Sequence, residues 1–104
     1  MQLDLFINPN SRTRAAFPLV VVLQADIAAE GERRLVAPVA PHSGPLARSA
    51  SRALPVIEHD GSRYAVALPL ISTLPRAQLH TAVGSIAQHR ADISRALDWL
   101  FFGI

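Results

Sequence analysis

Leu3, Leu5 and Ile7 alternate with Gln2, Asp4 and Phe6, which predicts a short strand that Asn8-Pro9-Asn10 brings to an end. After the polar stretch Ser11 to Arg14, the run Leu19-Val20-Val21-Val22-Leu23 continues toward Ile27. It is too uniformly apolar for a strand with one face in water and predicts a central strand. Residues Ala28 to Glu32 supply a turn, and Arg33 to Ala40 returns to form a hairpin. Pro38, lacking an N–H, restricts that position to an edge or a bulge. Residues 41–54 hold Pro41, Gly44, Pro45 and three serines without periodicity, the longest irregular segment and of the kind that often carries function. Asp60-Gly61, flanked by Pro55 to His59 and Arg63 to Leu70, predicts a type I′ hairpin, because both central residues must adopt positive φ. Pro69 and Pro75 bracket a further turn. Arg76 to Val83 is the expected last strand, with Gln78, His80 and Ala82 on one face and Leu79, Thr81 and Val83 on the other.

The period then changes. Ser85-Ile86-Ala87-Gln88 has capping-box spacing, and the main helix is expected from about His89. Ile93, Ala96, Leu97, Leu100 and Phe101 form one apolar stripe, with Asp92, Arg95 and Asp98 turned elsewhere. Trp99 and Phe102 stand three apart and off that stripe, which makes them candidates for an interface. The sequence stops on Phe102-Gly103-Ile104, an arrangement expected to present the helix end to a partner. A row of antiparallel strands followed by one helix is an α+β domain, a small twisted sheet or partly open barrel, expected to be a single unit over residues 1–104.

Composition narrows the function classes. Half of the 104 residues are hydrophobic and 17% are charged, so a packed core is expected, with little surface charge to keep a monomer apart from partners. All ten basic residues are arginine. The isoelectric point of about 10.4 therefore reflects the high arginine pKa, while the formal charge is only +2. The arginines are dispersed, unlike the clustered basic face of a nucleic-acid binder, and suit carboxylates equally well. With no cysteine, disulfides, thiolate metal sites and thiol catalysis are excluded. The longest apolar run falls far short of the roughly 20 residues that cross a bilayer, and Asp4 stands where a signal peptide would be basic, so a cytoplasmic protein without membrane contact is expected.

Little catalytic chemistry is encoded. His42, His59, His80 and His89 share no ligand spacing, so no metal is expected. No glycine-rich phosphate loop and no nucleophile elbow is present, so no cofactor is expected either. One cofactor-free reaction survives, RNA cleavage, with Arg12 or Arg14 and His80 as its raw material. The low charge and the wide separation of Phe17, Tyr64 and Trp99 argue against it.

Asn8-Pro9-Asn10, Ser11-Arg12-Thr13-Arg14, Gln24-Ala25-Asp26-Ile27, Arg33-Arg34-Leu35-Val36-Ala37-Pro38 and the terminal Gly103-Ile104 together resemble the CcdB toxins of bacterial toxin-antitoxin modules, in order and along nearly the whole chain. The resemblance implies a homodimer of small SH3-like barrels, each a twisted antiparallel sheet with a C-terminal helix. It also implies a toxin that is not an enzyme. Such a toxin binds the A subunit of DNA gyrase and traps the enzyme on cleaved DNA. By similarity the gyrase contacts are Phe102, Gly103 and Ile104, matching a Trp-Gly-Ile in the plasmid-borne toxin, with support from Ile27, Ala28 and Asp98. Phe102 replaces the tryptophan, and Trp99, turned by about 60° of helix rotation, is a candidate stand-in. A CcdA-like antitoxin with a disordered acidic segment is implied as the second partner. Arg12, Arg14, His42, Arg48 and Arg52 are its expected contacts. Toxin and antitoxin together would repress their own operon, with operator DNA contacted by the antitoxin. Two alternatives stand beside this: an endoribonuclease of the MazF kind, and a non-toxic relative that binds antitoxin only.

Overall fold

The computed structural model describes residues 1–25, 31–43 and 52–104. Its strands are β1 (Asp4–Ile7), β2 (Leu19–Val22), β3 (Arg33–Pro41), β4 (Val56–His59), β5 (Ser62–Val66), β6 (Ser72–Pro75) and β7 (Gly84–Ser85), followed by the helix α1 (Arg90–Phe102). They form one antiparallel sheet in the order β4-β5-β3-β2-β1-β7, with β6 alongside β3, curled into a nearly closed barrel. The α+β barrel with a closing helix is the architecture expected from the hydrophobic pattern.

β2 is interior and buried at all four positions. Leu19, Val21 and Leu23 point into the main core with Leu5, Val39, Ile57, Val66, Leu68 and Ile86. Val20 and Val22 pack with Val36 on the opposite face, beneath Phe6, Leu74 and Leu79. This second cluster is why the run shows no alternation. β1 keeps its predicted faces at Leu3 and Leu5, but Ile7 is 56% exposed, because the cover supplied by β7 and Ile86 ends at Leu5. The strand itself starts at Asp4, since Leu3 takes a φ of 66°.

The Asp60-Gly61 turn is as expected, with φ of 52° and 78°. Three other expectations need correction. Pro38 lies in an interior strand, not at an edge or bulge. Leu23 donates to the Leu35 carbonyl, so in the alternating ladder Pro38 faces away from β2. On that side β3 pairs with β6 up to Val36 and with β5 from Val39, and the missing N–H falls in the gap between partners. The last long strand is also displaced. Arg76–Gln78 is a 3₁₀ turn, and the pairing segments are Ser72–Pro75 and the two-residue β7. Pro75, fixed near the φ of a turn, ends β6, and Arg76-Ala77-Gln78 contains none of the β-branched residues that favour continued pairing. Finally, Leu68–Leu70 leaves β5 as a 3₁₀ turn that carries the chain from the β5 side of β3 to the β6 side.

The barrel's seam is closed by histidines. The Glu58 N–H on β4 donates to His89 Nε2 just before α1. The His59 ring lies directly against the backbone of Gly84 on β7, so that a Cβ there would overlap it. Gly84→Ala is therefore expected to cost about 1 to 3 kcal/mol as an overpacked contact. His59→Ala in the same chain should recover part of the loss, which thermal denaturation of the single and double variants will show as non-additivity.

Candidate functional site

The helix end is built from the sequence around it. The Ser85 hydroxyl accepts the Ala87 N–H, two residues on instead of the three of a full capping box, and so starts the 3₁₀ turn Ala87–His89 ahead of α1. α1 then docks through Ile93 and Ala96, with Leu97 and Leu100 half-buried on the core. Phe101, expected on this stripe, is 64% exposed. At 100° per residue it sits about 80° from Ile93, on the flank of the docking face, while Phe102 is turned about 180° away.

Gly103 stops the helix in the left-handed conformation, φ 72°, with its N–H bonded to the Trp99 carbonyl. This left-handed stop needs no Cβ and turns the chain off the helix axis. Phe102 is 74% exposed and Ile104 88%. The Phe101 and Phe102 rings lie 6.5 Å apart, so the aromatic pair at this end is consecutive in sequence. Trp99 is half-buried and turns to another side. There it lines a groove of about 410 Å³ with Arg52, Val56, Ala96 and Ile104. Asp92 and Arg95, paired with each other, stand on its rim. Asp98 is exposed. Ile27, Ala28 and Arg48 lie outside the described residues.

The other basic candidates are dispersed. The Asn8 side chain is buried and organises the loop that carries Arg12 and Arg14. Its Nδ2 donates to Thr13 Oγ1 and the Phe17 carbonyl, and its Oδ1 accepts the Asn10 N–H. Arg14 folds back on the same loop, donating to the carbonyls of Asn8 and Pro9. The Arg12 side chain has no partner among the described residues. Arg14 and His80 line one depression of about 360 Å³ together with Ile7 and Val83. His42 lies elsewhere, at the end of β3, where its N–H bonds the Arg63 carbonyl and its Nδ1 is buried without a partner. Among the described residues, no group of three His, Cys, Asp or Glu is placed to hold a metal ion. None of their helices is long and apolar enough to cross a membrane.

A nearly closed antiparallel barrel, whose C-terminal helix ends in exposed apolar side chains, defines the class of small barrel proteins with a protruding helix end. Within that class the chain belongs to the CcdB family, since the family model described as CcdB protein matches residues 2–103. It is thus a toxin of a toxin-antitoxin system. Comparison with curated proteins gives no match.

Proposed function

We propose that the chain, acting as a homodimer in the cytoplasm, poisons DNA gyrase by binding. The end of α1 engages the A subunit and holds the enzyme on cleaved DNA. A CcdA-like antitoxin neutralises it and carries the pair onto operator DNA. The observation that supports this reading is the helix end itself: Phe101, Phe102 and Ile104 are exposed and apolar, the two phenylalanines directed by the helix and Ile104 by the Gly103 stop. Exposed apolar groups clustered at one place mark an interaction surface. Antitoxin control is supported by Arg52, an expected antitoxin contact that shares a groove with Trp99 and Ile104. An acidic segment held there lies across the gyrase-binding end.

The test is a cleavage assay with purified protein, gyrase, supercoiled plasmid and ATP, in which linear DNA is expected after denaturation. Phe102→Trp is expected to raise potency by up to about tenfold, because a tryptophan face holds a guanidinium more strongly than a phenylalanine face does. A titration of the variant in the same assay reads this directly. The shared depression of Arg14 and His80 gives the ribonuclease reading its one structural support. RNA cleavage in the absence of gyrase, abolished in His80→Ala, would replace the gyrase reading.

A further inference from the structure

The end of β3 and the start of β5 form a third hollow, of about 480 Å³, on a part of the barrel to which no gyrase contact is assigned. Five of its lining side chains are hydrogen-bond donors: His42, Ser43, Ser62, Arg63 and Tyr64. The His42 N–H bonds the Arg63 carbonyl, which extends the β3–β5 ladder and sets His42 opposite Arg63. Among the described residues no carboxylate lines the hollow. Glu58, opposite Arg63 on β4, makes no ion pair with it.

These donors are unspent. His42 Nδ1 is buried with no protein partner among the described residues, so it is left for a ligand or a water to satisfy. The Arg63 guanidinium, the Tyr64 hydroxyl and both serine hydroxyls make no hydrogen bond to a described residue. By contrast Arg14, Arg33, Arg34, Arg90 and Arg95 all spend theirs within the fold. A wall that can donate from five side chains, with one fixed positive charge and no described carboxylate, favours an oxyanion. One carboxylate would be satisfied by the Arg63 fork alone, whereas the three oxygens of a phosphate monoester can use the hydroxyls and the imidazole as well. A hollow of this volume is in the range of small-molecule sites and is larger than phosphate alone requires.

We propose that this hollow binds a phosphate monoester of nucleotide size, with Arg63 and His42 holding the phosphate. Calorimetric titration of the full chain with AMP should show saturable binding, with inorganic phosphate weaker and adenosine not bound. Arg63→Gln should lower AMP affinity about tenfold or more, the effect of removing a charge-assisted hydrogen bond, while His42→Gln lowers it less. Arg76→Gln, at an exposed arginine outside the hollow, should leave it unchanged. Circular dichroism of each variant confirms that it is folded. The proposal is overturned if AMP does not saturate, if adenosine binds as well as AMP, or if Arg76→Gln weakens binding as much as Arg63→Gln. Tighter binding of a glutamate-rich peptide at the same arginine would assign the hollow to an acidic segment instead. The measurement uses no gyrase, so its outcome is independent of the toxin's mode of action.

Discussion

A chain lacking Gly103-Ile104 should release no linear DNA in the gyrase assay while unfolding within a few degrees of the intact protein. The energetic reason is that the removed residues bury nothing in the core: Ile104 is 88% exposed, and the one hydrogen bond removed is that from the Gly103 N–H to the Trp99 carbonyl. A helix stop of this kind is worth less than about 1 kcal/mol here, since water can take over the freed carbonyl. The apolar surface offered to a partner, however, loses its most exposed aliphatic side chain and the geometry that directs it. Antitoxin binding through the arginines should persist, which a titration with the acidic segment will check. Linear DNA from the truncated chain, or its failure to fold, would sink the assignment of the site to this helix end.

Asn8→Ala should be the most damaging single polar substitution in the loop that bears Arg12 and Arg14. Asn8 is 4% exposed and its side chain holds three bonds, at 2.9 Å to Thr13 Oγ1, 2.8 Å to the Phe17 carbonyl and 3.0 Å from the Asn10 N–H. Alanine removes all three and leaves part-buried partners unsatisfied, at a cost of about 2 to 3 kcal/mol. For a domain of this size that lowers Tm by on the order of 10 °C. Arg14→Ala should cost less, about 1 kcal/mol, because of its two bonds to carbonyls one is only part-buried, at Asn8, and the other is exposed, at Pro9. Urea denaturation with an unchanged m value would show that stability, not compactness, has moved. If Asn8→Ala unfolds no more readily than Arg14→Ala, the loop is not held by this residue.

What the sequence made legible follows from the range of the forces involved. The Asp60-Gly61 turn, the unbroken apolar run of β2 and the α1 stripe from Ile93 to Leu100 are each written in a few consecutive residues and could be read locally, although the groups that cover the second face of β2 are distant in sequence. Pro38 could not. Its position looks incompatible with an interior strand until β3 is seen to exchange one partner for another beside it. Arg76 to Val83 alternates as a strand would, yet the ladder on β3 is already occupied by Ser72–Pro75. Phe101 fits the helical period and is still 64% exposed, on the flank of the face that docks through Ile93, Ala96, Leu97 and Leu100. The site divides in the same way. The helix end was legible as an unfilled apolar surface, whereas the His42–Arg63 hollow needs the β3–β5 register, which no local pattern encodes. Gly84 belongs to no local motif, and the ring of His59 against its backbone explains why no side chain fits there.

The left-handed stop at Gly103 has a kinetic consequence. A free two-residue tail must be frozen when it binds, at about 1 to 2 kcal/mol of backbone entropy for each residue. Here the Gly103 N–H already ties the first of them to the helix, so that loss is taken during folding and not at the encounter. The first residue beyond α1 is thereby pre-organised before any partner arrives. Pre-organisation of this sort lengthens the residence time of a complex more than it speeds its formation. If the proposed trapping of gyrase holds, how long the toxin stays matters more than how fast it arrives.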